Sequence, residues 1–187
     1  MSIMIKIGID PSINCTGVCV WDDEHNVHLY YMIPSKMTKK MYAFEHNFIR
    51  LLPYDKITPS INDYSVKEYV KFCNIYSICK KIDCIIKLFN PSRVYMEGVS
   101  YGSVGSAALV DLSFLNASIR MVLKENGVKF DIVSPTSLKK FACANGQADK
   151  DVMVDAWKRL DKNIQDAKDI KIDDLADSYF LAHYSQN

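Results

Sequence analysis

Carboxylates are the residues of this 187-residue chain whose placement can do chemistry. Asp10 closes the apolar run Ile3-Met4-Ile5-Lys6-Ile7-Gly8-Ile9, and Glu97 follows Arg93-Val94-Tyr95-Met96. Both runs read as buried strands. An Asp before Pro is ordinarily a turn or a cap, but that reading weakens when a second acid ends another apolar strand. The ends of neighbouring strands are where α/β proteins build sites. A third set, Asp173-Asp174-Leu175-Ala176-Asp177, opens a predicted helix. Asp174 and Asp177 share a helix face, and so do Asp173 and Asp177. The helix dipole accounts for acids in a first turn; Asp177 lies deeper. Acids pressed against an apolar sheet lose hydration and repel one another, and a cation offsets both costs. Oxygen-only ligands favour Mg²⁺ or Mn²⁺ over zinc. Two such ions about 3.5–4 Å apart suit phosphodiester hydrolysis, one activating a water and the other stabilising the leaving 3′-oxygen.

The elements that must position these acids follow from periodicity and turn chemistry. After the first strand, Pro11-Ser12-Ile13-Asn14 is a turn, Thr16–Trp21 a second strand, Asp22–Asn26 a polar turn and Val27–Ile33 a third strand. Residues 34–64 read as an extended loop with some short helix, interrupted by Pro53, Pro59 and Asn62-Asp63 and carrying Lys36, Lys39 and Lys40. Apolar residues at helical spacing predict a helix over 65–89, ended by Asn90-Pro91. A fourth strand leads to Glu97, then a Gly/Ser-rich loop over 98–105, a helix over 107–126 capped by Gly127, and a fifth strand over 130–133. Ser134-Pro135 starts a helix, Asn145-Gly146 breaks the chain, and helices follow over 149–160 and 173–184. This order predicts a single α/β domain over 1–187. Its mixed five-stranded sheet has three antiparallel strands and then parallel additions, with helices on both faces, the ribonuclease-H-like layout.

Composition sets bounds. Hydrophobic content of 49% and charged content of 24% are ordinary for a globular domain. No apolar run approaches the roughly 20 residues needed to cross a bilayer, and the N-terminus lacks a secretory pattern. The six cysteines are scattered without a second ligand pair for zinc, and read as reduced thiols of a cytosol-like compartment, a host cytoplasm if the source is viral. A net charge of +1 argues against a general nucleic-acid glue. Four acids gathered in one pit leave the remaining surface more basic than that total suggests, and bound cations reverse the sign of the pit.

Gly8-Ile9-Asp10-Pro11-Ser12 with Thr16-Gly17, then Met96-Glu97-Gly98-Val99, then Ile172-Asp173-Asp174-Leu175-Ala176-Asp177-Ser178 together resemble the RuvC family of Holliday-junction resolvases, and the order spans almost the whole chain. The closing motif is also similar to that of viral resolvases of the poxvirus branch. The resemblance implies a metal-dependent endonuclease that resolves four-way DNA junctions by cutting two strands of like polarity, with two Mg²⁺ (or Mn²⁺) per site held by Asp10, Glu97, Asp174 and Asp177. Asp173 is an alternative to Asp174. It implies basic residues beside the scissile phosphate, at positions similar to Lys139 or Lys140 and to Lys150, against the plain reading of solvated surface lysines. It implies an aromatic residue stacking at the junction centre, for which Tyr101 is the nearest match, one position late. It also implies a homodimer, suited to a two-fold symmetric substrate. The Ala107–Leu123 helix, apolar on more than one side, serves either the core alone or a dimer interface as well. The stretch between the third strand and the first long helix is longer than the bacterial pattern.

Other readings are weaker. The opening motif also resembles the first phosphate loop of actin-like ATPases, but those need a second lobe and a second glycine-rich loop, which this chain lacks. A ribonuclease, flap nuclease or broader branched-DNA nuclease on the same fold would use similar carboxylates. A non-catalytic DNA-binding protein would not need all of them in register.

Overall fold

The computed structural model describes residues 4–42, 48–99, 106–164 and 173–185. The elements in chain order are β1 (Ile5–Asp10), β2 (Cys15–Asp22), β3 (Val27–Pro34), α1 (Lys39–Tyr42), β4 (Ile49–Leu51), α2 (Tyr64–Phe89), β5 (Arg93–Glu97), α3 (Ser106–Glu125), β6 (Phe130–Val133), α4 (Pro135–Cys143), α5 (Lys150–Leu160), a 3₁₀ turn (Lys162–Ile164) and α6 (Asp173–Ala182). The strands form one sheet in the order β4-β3-β2-β1-β5-β6. β1, β2 and β3 are an antiparallel meander, while β5 adds parallel to β1 and β6 parallel to β5.

The sheet has six strands, not five. The additional strand, β4, lies inside the stretch read as loop and pairs parallel with β3, Tyr30 opposite Ile49 and Met32 opposite Leu51. Three residues are too few to show a period. Ile49-Arg50-Leu51 becomes a strand through bonds at its two ends, Tyr30 N–H to Phe48 C=O (2.7 Å) and Leu52 N–H to Met32 C=O (2.8 Å). Beyond β4 the chain is irregular but anchored. The Asn74 side chain of α2 bonds both backbone groups of Ile57, and Tyr54 Oη donates to the Ile13 carbonyl at 2.7 Å.

Helix ends follow local chemistry. Asp63 caps α2 by accepting from Val66 N–H, and Ser134 caps α4 by accepting from Ser137 N–H, with Pro135 in the first turn. α3 closes as expected at Gly127, whose N–H reaches Lys124 C=O while Val128 N–H reaches Leu123 C=O.

Strand alternation divides the interior into two layers. Ile7, Ile9, Val18, Val20, Ile33, Val94 and Met96 face α2 and α3, against Ile78, Ile82, Leu115 and Ile119. Cys19, Tyr30, Met32 and Tyr95 face the other way, against Trp157, Leu175, Tyr179 and Leu181 of α5 and α6. By the same alternation Gly8 and Asp10 on β1, Gly17 on β2 and Glu97 on β5 belong to the α6 face. At the opposite end of that face a polar chain is buried: Trp157 Nε1–H donates to Tyr30 Oη (3.0 Å), Tyr30 Oη–H to Asp161 (2.6 Å), and Asp161 lies 3.6 Å from His28, whose Nε2 is 2.8 Å from Nε2 of His183.

Candidate active site

The site begins with two glycines. A Cβ on Gly8 would stand 2.0 Å from the Ser178 carbonyl oxygen and 2.4 Å from the Ala182 nitrogen; one on Gly17 would stand 2.2 Å from the Asp174 carbonyl oxygen. Any side chain at either position would lift α6 off the sheet. The glycines thus let α6 lie directly across β1 and β2, with its N-terminal acids beside the end of β1. The glycines of the opening motif are packing residues whose product is the position of Asp174 and Asp177.

Asp10 ends β1, paired with Gly17, and is buried. Glu97 ends β5, paired with Val133 and half-buried. Asp174 and Asp177 reach the same place from the first turns of α6. Burial raises the Asp10 carboxyl well above its ordinary value, and the charges of Glu97, Asp174 and Asp177 push it further; a hydrogen bond with Glu97 holds the pair together. Burial also raises Glu97, opposed by that hydrogen bond and by Lys150 and Lys139. Asp177 is pushed up to about 7 by burial and by the charge of Glu97, with Lys150 working against them. The four acids act on one another, so the structure brings together all four positions expected to bind metal.

Asp173 and Asp174 part company. Asp173 is ion-paired with Lys150, whereas Asp174 bears on Asp10; both reach the Cys15 thiol, Asp174 more strongly. Of the three lysines, Lys139 and Lys150 act on the Glu97 carboxylate; Lys140, on the same helix as Lys139, is exposed and is not among the groups that shift it. Burial pulls Lys150 down, but Asp173, Asp174 and Asp177 outweigh it and keep the ammonium charged. Tyr101 lies outside the described residues.

Three contributors were not legible in the sequence. Cys15 faces the acids from the start of β2, its thiol pushed up by burial and by Asp174. Cys143 lies near enough to Asp177 to feel its charge. Asn116 of α3, buried, donates through Nδ2 to the Glu97 carbonyl at 2.8 Å. Cysteine spacing carries no sign of the first two, and a lone Asn in a helix reads as surface.

Among the described residues, no three His, Cys, Asp or Glu side chains are already drawn into an ion-binding group; Asp10 and Glu97 bond to each other instead. The donor set nevertheless suits a hard divalent cation. It is all oxygen, largely buried, and loaded with repulsion that a cation would convert to attraction.

No protein-family model matches the chain, and no curated protein matches it by sequence. Solved structures do match. The RuvC structure of Thermus thermophilus aligns over 96% of this chain and 91% of its own, with a TM-score of 0.61 at 16% identity. T. thermophilus RuvC in complex with a Holliday junction substrate aligns over 96% and 90%, with a TM-score of 0.62 at 14% identity. The yeast mitochondrial Holliday junction resolvase Ydc2 aligns over 96% and 76%, with a TM-score of 0.56 at 15% identity. At such identities the likeness speaks for the fold alone: with its antiparallel meander, parallel additions and closing helix laid across the first strand, this chain has the ribonuclease-H-like fold, shared with the RuvC and Ydc2 structures.

Proposed function

We propose that the chain is a structure-selective endonuclease that resolves four-way DNA junctions by divalent-metal-dependent hydrolysis of two strands of like polarity. The observation that carries this reading is the meeting of Asp10, Glu97, Asp174 and Asp177, from three separate elements, with Lys139 and Lys150 beside them. These four acids would hold two Mg²⁺ or Mn²⁺, which when bound supply Lewis-acid stabilisation to water attack at phosphorus and to the leaving 3′-oxygen. The chain's own residues do the rest. β1, β5 and α6 hold the acids in fixed register. Lys139 and Lys150 offer charge to the phosphate as it enters an otherwise acidic pit. Asp173 holds Lys150 at the rim.

We propose that the chain forms a homodimer through α2 and α3. The inner side of α3 is core, with Leu115, Ile119 and Leu123 buried, while Val110 (64% exposed), Phe114 and Met121 (63%) point outward. Beside them α2 presents Tyr69 (68%), Phe72 and Tyr76. Between the two helices runs a groove of about 690 Å³ in which Phe72, Tyr76, Phe114 and Met121 stand beside the charged Lys80, Asp83, Lys87 and Glu125. Exposed aromatic and aliphatic side chains gathered with charges around them suit an association surface, and a second copy would set two active sites on a symmetric junction.

The test is a substrate panel of four-way junction, three-way junction, flap, plain duplex and RNA–DNA hybrid, each with Mg²⁺ and with excess chelator. Paired symmetric nicks in the four-way junction, lost in chelator, are expected. Preferential cutting of the hybrid or flap, or full activity in chelator, overturns the reading.

A further inference from the structure

We infer that Asn116 is a positioning residue for Glu97, fixing the strand end that carries this carboxylate from the opposite face of the sheet; this rests on Glu97 being part of the active site proposed above.

Pairing between β1 and β5 stops at Ile9–Met96, one residue short of Glu97. On the other side, Gly98 N–H donates to the Val133 carbonyl at 2.8 Å. The carbonyl of that same peptide unit, Glu97 C=O, points the other way, toward β1, where the ladder has ended. A backbone acceptor at such a place needs a donor. Asn116 supplies it, with Nδ2–H donating to Glu97 C=O at 2.8 Å. The amide orientation is fixed by its partners, because the carbonyl can only accept and Arg120 Nη2 donates to Asn116 Oδ1 at 2.5 Å. A bond from a guanidinium to Oδ1 polarises the amide and strengthens Nδ2–H as a donor. Arg120 reaches Asn116 through Nη2 alone; its Nε is buried without a hydrogen-bond partner among the described residues.

Geometry gives the bond its consequence. The Glu97 side chain lies on the α6 face and α3 on the other, so Asn116 holds the backbone without touching the carboxylate. Asn116 and Val133 thus hold the Glu97–Gly98 peptide from both sides, the first at its carbonyl and the second at its N–H.

The experiment compares Asn116→Leu, which keeps size and loses the donor, Asn116→Asp, which keeps the Arg120 partner and loses the donor, and Glu97→Gln as a reference. Readouts are melting temperature, junction affinity in Ca²⁺, kcat, and Mn²⁺ affinity by calorimetry without DNA. Both Asn116 variants are expected to bind junction as the wild type does, with kcat and Mn²⁺ affinity each lowered about tenfold. Should the leucine variant unfold, the aspartate variant carries the test. Wild-type kcat and Mn²⁺ affinity in a folded Asn116 variant, or a fall in melting temperature alone, overturn the inference. Wild-type cutting by Glu97→Gln overturns the underlying active-site reading instead, and so the two failures are separable.

Discussion

Asp174 lies against Gly17, its carbonyl oxygen 2.2 Å from where a Cβ would stand. A substitution too small to disturb most strands therefore acts on the active site at a distance. Gly17→Ala is expected to push the start of α6 outward, costing about 1–3 kcal/mol of stability as overpacking usually does. Cleavage should fall by more than that stability loss implies. Chemical denaturation and single-turnover cutting, measured on the same preparation, check both.

The acids should destabilise the protein when no cation offsets them. A carboxyl raised in the folded state contributes stability below its unfolded value, and that stability is lost as pH rises through the folded value. For Asp177 the window runs from 3.8 to about 7. Asp177→Asn is thus expected to raise metal-free stability at pH 8 by about 1–3 kcal/mol while abolishing cleavage. Equal or lower stability of the variant in chelator would count against a repulsive cluster.

The histidine pair at the other end of α6, His28 buried and His183 half-buried, has the opposite sign. Burial lowers His28, and burial with the charges of His28 and Lys6 lowers His183 from 6.5 to about 4. A histidine lowered in the folded state contributes stability fully above its unfolded value, and loses it as pH falls toward the folded one. Relative to His183→Gln, the wild type should lose on the order of 1 kcal/mol between pH 6.5 and 4. Taking the difference between the two proteins cancels the contribution of the acids.

Lys139 and Lys140 separate sharply. Lys139 bears on Glu97 and Lys140 does not. Lys139→Ala is expected to slow cutting about tenfold or more, and Lys140→Ala to leave the single-turnover rate within about twofold. Equal effects would contradict this separation of the two lysines.

Much of this was legible in the sequence, for identifiable reasons. Asp10 and Glu97 were visible because each ends a strand whose apolar pattern stands alone, and Ser134-Pro135 and Gly127 because capping is local. β4 was hidden because its pairing with Tyr30 and Met32, not its own three residues, makes it a strand. That Asp174 lies against Gly17 while Asp173 pairs with Lys150 depends on how closely α6 approaches β2, which helix spacing does not contain. Asn116 was invisible because its acceptor lies 19 positions away on another element. The His28–His183 contact spans 155 positions and leaves no local trace.

The most direct test of the metal-carboxylate site is cleavage of an end-labelled four-way junction in Mg²⁺ by the wild type and by Asp10→Asn, with junction binding measured in Ca²⁺. Paired nicks by the wild type, and none by a variant that still binds, are expected. Cutting by Asp10→Asn at the wild-type rate would contradict the account.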